Sequence, residues 1–303
     1  MMMIELKNVS KTFGDIAAVR DVSFVVPEGR TTIIAGADGA GKSTIFKMLV
    51  GLVRKDSGDI FLKGENIGHH YNKITAVAGY MPERFSLYQD LSVEENLDFF
   101  SDIYEVPRQK REERKQRLLE KTGMLPFKKR RAGALSGGMK QKLALSCILL
   151  SAPQFIILDE PTTGVDPLSR IEFFNTIAEL KAEGKTIVIS TPYLDEAEQG
   201  DYIVFLKNGR IIKEESMKRL KENFPARLFK LLPKGNIFAI MEQALQDAEL
   251  RNNVYIRGKF IKMLQEGDKD YSRRIPHIDI TEEKPKLEDI YLYYERLHEK
   301  GAG

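Results

Sequence analysis

The sequence predicts an α/β protein built around a buried parallel sheet. Three observations carry this. "TTIIAG" (31–36) is a β-rich run that ends in a glycine loop and continues as "KSTIFKMLVGL", the order strand, tight loop, helix. "QFIILDE" (154–160) is apolar and then abruptly acidic, as expected of a strand buried on both faces with carboxylates at its C-terminal end. "KTIVIS" (185–190) and "YIVFLK" (202–207) add two more strand candidates, and alternation of strands with helices points to a parallel core.

The remaining elements follow in order. Residues 4–8 (IELKN) and 22–26 (VSFVV) alternate as antiparallel strands do. Ser92 and Glu95 have capping-box spacing, so a helix is expected over 92–104. A highly charged helix is expected over 107–121, with Pro107 at its start. Another is expected within 135–150, with Ser136 near its N-terminus. Asp166 and Pro167 form a good N-cap and N1 pair for a helix over 167–182. From about residue 217 to 303 the character changes to a small α+β appendix. It holds an amphipathic helix with Ile237, Met241, Ala244, Leu245 and Ala248 on one face, a strand at 254–260, and a last helix at 287–297. That last helix places Leu287, Ile290, Tyr291, Tyr294 and Leu297 together.

Composition narrows the classes. The chain has 303 residues, 42% hydrophobic and 30% charged, with a formal net charge of +3, the profile of a soluble globular protein. One cysteine, Cys147, excludes an intramolecular disulfide and a Cys-rich zinc site. The four histidines show no zinc-binding grouping. No apolar run reaches the ~18–20 residues that span a bilayer, and the start lacks a signal pattern. The expectation is a cytoplasmic protein that meets a membrane only through a partner.

The chemistry begins at "GADGAGKST" (36–44), which fits G-x-x-x-x-G-K-[ST] between a strand and a helix. Gly36, Ala37, Asp38, Gly39, Ala40 and Gly41 would turn backbone N–H groups toward phosphate oxygens. Lys42 would neutralise phosphate charge, and Ser43, with Thr44 beside it, would bring a hydroxyl to Mg²⁺ at a helix N-terminus. Asp159 and Glu160 fall at the mouth of the sheet, where α/β folds bind ligands. There Asp159 can hold Mg²⁺ and Glu160 can orient or deprotonate an attacking water. A glycine turn and a helix cap are the blander readings of these two stretches.

With "LSGGMKQKL" (135–143) and "LDEPTTGVDP" (158–167) in this order, the chain resembles an ATP-binding subunit of ABC transporters over about residues 4–215. The resemblance implies a P-loop NTPase fold of ABC type. It comprises a nucleotide-binding domain (1–216) with an antiparallel β subdomain, a helical subdomain (about 84–150) and the C-terminal appendix (217–303). It implies ATP and Mg²⁺ as cofactors, and a head-to-tail dimer in which each ATP lies between one subunit's phosphate loop and the other's signature. Ser136, Gly137 and Gly138 would be that signature, Asp166 the residue reaching across the interface, and Phe13 the aromatic stacked on adenine, with Val19 nearby. A core aromatic is the alternative for Phe13. The appendix and "ERFSLYQDLSVEENLDFF" (83–100) resemble drug- or polysaccharide-type exporters, where a separate transmembrane subunit docks near 83–104.

Three positions depart from the family pattern. Pro192, in "ISTPYLDEAEQ", stands where a histidine usually contacts the γ-phosphate, and proline offers no side-chain donor. Glu83 stands for a glutamine, able to ligate Mg²⁺ but adding negative charge. Asp38 stands for a more usual asparagine, which again puts negative charge near phosphates. These changes suggest a weakened site in one half of an asymmetric pair whose signature still serves its partner. The rival readings are a nucleotide-gated structural partner with little hydrolysis, and a soluble ABC ATPase working on ribosomes or DNA. The basic stretches at 108–117 and 128–131 lack interleaved aromatics, so solvated faces are expected there and no nucleic acid.

Overall fold

The computed structural model describes residues 1–84, 87–267 and 271–301. The chain divides into two compact units, Met1–Glu214 and Glu215–Gly303.

The first unit opens with long strands β1 (Met2–Phe13) and β2 (Ile16–Pro27) and continues through β3 (Thr31–Ala35) into α1 (Lys42–Leu49). Then come β4 (Ser57–Leu62), β5 (Glu65–Asn66), α2 (Asn72–Thr75) and β6 (Ala78–Met81). Three helices follow: α3 (Val93–Ile103), α4 (Arg108–Lys121) and α5 (Gly137–Leu149). The chain returns as β7 (Phe155–Asp159), α6 (Pro167–Ala182), β8 (Thr186–Thr191), α7 (Leu194–Ala197), β9 (Tyr202–Lys207) and β10 (Arg210–Ser216).

These strands form two sheets. One is antiparallel, in the order β2-β1-β4-β5; the other runs β10-β9-β3-β8-β7-β6. Within the second, β9, β3, β8, β7 and β6 pair in parallel. Every residue of β3, β7 and β8 is buried, which explains why these strands read as continuous apolar runs instead of alternating ones. Helix α1 joins the sheets: Ile45, Phe46 and Leu49 share a core with Phe24 and Ile60 on one side and Phe155 and Val188 on the other.

The three-helix region has its own core, with Leu97, Leu119, Leu143 and Cys147 at its centre. The Ser92–Glu95 capping box forms as its spacing predicts. Pro107 stands one place earlier than expected, at the N-cap of α4, and Arg108 begins the helix. Fully buried Asn96 accepts from Tyr88 N and donates to the carbonyls of Tyr88, Leu91 and Ser92, tying down the loop before α3. The basic face of α4 is mostly exposed, although Lys115 is buried between Asp98 and Glu112.

The second unit comprises α8 (Met217–Glu222), β11 (Ala226–Pro233), α9 (Ile237–Gln246), β12 (Val254–Arg257), β13 (Phe260–Glu266), β14 (His277–Glu283) and α10 (Leu287–Gly301). Its antiparallel sheet runs β12-β13-β11-β14. Three expectations are corrected here. The strand at 254–260 is a hairpin, because Gly258 (φ +59°) turns the chain so that Arg257 faces Phe260. In α9 the buried face is Ile240, Met241 and Ala244, with Ile237 half-buried beside them; Leu245 is exposed, and Ala248 lies beyond the helix in solvent. In α10 Tyr293 packs inward with Leu287 and Ile290, whereas Leu297 is exposed. Among the described residues, no helix is long and apolar enough to cross a membrane.

Candidate functional site

The loop between β3 and α1 closes only because glycine occupies two of its positions. A Cβ on Gly36 would stand 2.2 Å from the carbonyl oxygen of Leu206, and one on Gly41 (φ +107°) 2.4 Å from that of Ala18. Val19 packs against the same glycine. Ala37, Asp38 and Gly39 form the exposed crest, while Ala40 is buried and donates its N–H back to Ala37 O at 3.1 Å. Lys42 begins the helix and is only 3% exposed. Its Nζ donates to Gly36 O at 2.8 Å and Ala37 O at 3.0 Å, and pairs with a Glu160 carboxylate oxygen at 3.0 Å. A buried ammonium curled inside a glycine loop is poised to trade these partners for phosphate oxygens.

Parallel pairing of β7 with β8 places Asp159 beside Ser190. Asp159 is 1% exposed. Its Oδ1 accepts from Ser190 Oγ at 2.6 Å and Ser43 Oγ at 3.0 Å, and Tyr80 Oη stands 3.5 Å from Oδ2. Burial pushes the Asp159 carboxyl above its ordinary range, the serine hydrogen bonds oppose this, and the neighbouring Glu160 charge adds to it. A buried carboxylate next to a helix-borne hydroxyl is a partial shell for a hard divalent cation. Mg²⁺ commonly takes one or two protein ligands and completes its octahedron with water and phosphate, and among the described residues no larger cluster of metal-binding side chains occurs. The donors present therefore fit Mg²⁺ bound together with a phosphate ligand.

Glu160 adopts left-handed backbone (φ +48°), which is costly for a residue with a Cβ. Its N–H is shared between the hydroxyl and the carbonyl of Ser190, which holds the turn, and Thr163 Oγ1 donates to its Oε2 at 3.2 Å. The turn swings the carboxylate off the strand end toward Lys42.

The other expected residues lie apart from this cluster. Ser136 caps α5, accepting from Met139 N at 3.3 Å, and is exposed with Gly137. Gly138 is buried because a Cβ there would stand 2.4 Å from that of Ser169, so α5 starts tight against α6. Asp166 caps α6, accepting from Ser169 N at 3.0 Å, a bond that holds its carboxyl below the ordinary range. Phe13 is 47% exposed at the end of β1 with Lys11 Nζ 5.2 Å above its ring, so it is no core aromatic. Glu83 is exposed on the loop after β6, where its charge acts on the Tyr80 hydroxyl; no contact joins it to Asp159. Pro192 is half-buried just beyond β8 and contributes no polar side chain.

Sequence reasoning missed Ser190 and Tyr80, which reach Asp159 from neighbouring strands. It also missed a buried knot beneath Pro192. Glu196, 4% exposed, accepts from Thr162 Oγ1 at 2.7 Å and Thr191 Oγ1 at 2.6 Å, with Arg170 at 3.5 Å. The signal was the pair of hydroxyl residues, Ser190 and Thr191, that closes one apolar strand.

Fold and site together define a P-loop nucleotide-binding protein: a glycine loop, a buried lysine, and an acidic strand end at the mouth of a parallel sheet. The family model for ABC transporters matches residues 19–163, and the chain belongs to that family. The Nod factor export ATP-binding protein I of a Rhizobium species is 38% identical over 220 residues, 72% of either chain. The probable multidrug ABC transporter ATP-binding protein YbhF of Escherichia coli is 37% identical over 298 residues. That match takes in 96% of this chain and 51% of the relative, so the chain spans about half that relative's length. Among solved structures, the ATP-binding subunit of an ABC transporter superposes with a TM-score of 0.64 at 31% identity, over 73% of this chain and 93% of that one. An ATP-binding cassette solved as a post-hydrolysis dimer bound to ADP and Pi gives 0.63 at 27% identity, over 71% and 99%.

Proposed function

We propose that this chain is the ATP-hydrolysing subunit of an ABC exporter, driving a separate transmembrane permease subunit at the inner face of the cell membrane. The observation that carries this reading is the convergence of Lys42, Ser43, Asp159 and Glu160 at one sheet mouth. Bound Mg²⁺, held by Ser43 and Asp159, would neutralise charge on the terminal phosphates. Lys42 leaves the carbonyls of Gly36 and Ala37 for phosphate oxygens. Glu160, released from that lysine, accepts a proton from the attacking water. Phe13 offers its exposed ring to the base. Ser136, Gly137, Gly138 and Asp166 serve a second ABC ATPase subunit, because their exposed helix caps lie apart from their own phosphate loop. The relatives named for multidrug and Nod factor export support the exporter reading. So does an aromatic row on the helical region, Tyr88 on Phe99, Phe99 on Phe100 and Phe100 on Tyr104. Tyr88 and Ile103 are exposed there, in the segment expected to dock the permease, of which residues 85 and 86 lie outside the described residues. Co-purification from membranes tests it: a multi-span protein held by this chain is the expected result, and its absence refutes the exporter assignment.

Asp159→Asn probes the metal. The folded pKa of Asp159 is raised, so ionisation costs the folded state stability as pH climbs through the ordinary carboxylate value and beyond. The neutral amide removes that cost. The variant is expected to melt higher than wild type without nucleotide near neutral pH, and to lose the further rise that Mg-ATP produces. A nucleotide-free variant that melts lower contradicts the burial argument.

The second half of the proposal is that the chain's own site is slow. Pro192 favours this, since one positioned transition-state donor is worth about 10²–10³ in rate. Pro192→His is expected to raise ATP turnover at least about tenfold, within that ceiling. A wild-type homodimer that already turns over at ordinary transporter rates refutes the asymmetry. The alternative, a nucleotide-gated structural partner with little hydrolysis, shares the support of Pro192 but leaves Glu160 without a purpose.

A further inference from the structure

The sheet of the second unit has two unlike faces. Odd-numbered residues of β11 and β13, such as Leu231, Ile261 and Met263, pack with Ile240 and Met241 of α9. On the opposite face Leu228 and Leu264 pack with Tyr293 of α10. One pleat repeat along that second face, the apolar pattern stops and Lys230 and Lys262 stand directly opposite one another on β11 and β13. Like charges in a cross-strand pair are destabilising, and Lys262 is only 8% exposed. Local rules broken inside an otherwise consistent sheet are expected at functional or strained sites.

The counter-charge is incomplete. Lys230 and Lys262 share one carboxylate, that of Glu283. Arg257 pairs with Glu288. Asp289 is occupied by the Tyr255 hydroxyl and the Lys286 backbone N–H. Lys284 and Lys286 are exposed on the loop entering α10, and neither has a carboxylate partner among the described residues. Five cations therefore line one cavity of about 400 Å³ with two carboxylates, Glu283 and Asp289, and a third, Glu288, pairs with Arg257 from outside the lining. The cavity is the size of small-ligand pockets, with a surplus of two positive charges over a floor of partly buried ammonium groups.

We propose that this cavity is a binding site for a phosphate group carrying about two negative charges at neutral pH, either free in solution or on a lipid headgroup. Lys230 and Lys262 supply the floor, and Lys284 and Lys286 close over the anion from the rim. Phosphate suits the arrangement better than a single carboxylate. Its oxygens present acceptors in several directions, matching ammonium groups that arrive from two strands and a loop. The site is separate from the phosphate loop of the first unit, and its proposal does not depend on hydrolysis there.

The test uses the full chain with inorganic pyrophosphate and with vesicles containing phosphatidic acid, whose headgroup is a phosphate monoester, against the variant Lys284→Glu/Lys286→Glu. Both substitutions lie on exposed positions, and an unchanged melting temperature verifies the fold. If the site takes free phosphate, calorimetry finds two pyrophosphate sites in wild type and one in the variant, the survivor being removed by Lys42→Ala. If it takes a headgroup, pyrophosphate stoichiometry is equal in both, and the variant's binding to anionic vesicles falls at least about tenfold, since each basic residue near such a surface contributes about 1 kcal/mol. Equal pyrophosphate stoichiometry together with equal vesicle binding overturns the proposal.

Discussion

Glu160→Gln is expected to lower ATP turnover by about 10²–10⁴-fold, the range a positioned general base supplies, while ATP binding is kept or tightened. The two effects have separate origins. In the proposed mechanism Gln cannot take the proton of the attacking water, so the chemical step would lose its base. Without nucleotide, however, the carboxylate lies 3.0 Å from the Lys42 ammonium, on a lysine that is 3% exposed. ATP has to displace that pair to recruit the lysine. Removing the charge removes a competitor, so affinity does not fall with rate. Side-by-side measurement of steady-state hydrolysis and equilibrium ATP binding separates the outcomes. Turnover unchanged by Glu160→Gln would establish the nucleotide-gated structural partner; loss of binding along with turnover would mean that Glu160 holds the loop together and performs no chemistry.

That pair also shows what could be read before the structure and what could not. Signals confined to a few consecutive residues carried over directly. Ser92 with Glu95 closes a capping box, and Ser136 and Asp166 cap their helices, because a cap is chemistry between neighbours in the chain. The shape of the glycine loop is legible for the same reason: Gly36, Gly41 and Lys42 are spaced by local geometry. Partners brought in by sheet register were not legible. Ser190 meets Asp159 only because β7 and β8 pair in parallel with those two residues opposite, and nothing near either one predicts the offset. The second unit was read least well, and there the helix and strand patterns were short. Leu245 and Leu297 looked like core residues by period but face solvent, since Ile240 and Tyr293 fill the positions that meet the sheet.

Glu196→Ala is expected to lower the stability of the first unit by about 3–5 kcal/mol, the cost of removing one partner from a buried charge network. At about 2–4 °C per kcal/mol for a domain of this size, the melting temperature should fall by roughly 6–20 °C. The magnitude follows from what the carboxylate holds. Thr162 lies between Glu160 and Asp166, and Thr191 immediately precedes Pro192; both hydroxyls donate to Glu196 at 2.6–2.7 Å. Thr191 Oγ1 also accepts from Tyr193 N at 3.1 Å. Arg170, 3.5 Å from the carboxylate, donates to Val165 O at 2.9 Å and lies 4.3 Å over the Tyr193 ring. One carboxylate thus fastens the loop after β7 to the end of β8. Alanine leaves two buried hydroxyls without their acceptor and takes the carboxylate away from Arg170, which keeps its bond to Val165 O, whereas Glu196→Gln keeps one carbonyl acceptor and should cost about 1–3 kcal/mol. Asp195→Ala, one residue away and exposed, should stay within about 0.5 kcal/mol of wild type. Thermal unfolding without nucleotide reads all three. Should Glu196→Ala melt no lower than Asp195→Ala, the loop and the strand end are held by packing alone. The gain expected from Pro192→His would then survive in a chain that also lacks Glu196; if the carboxylate does hold them, the double variant loses it.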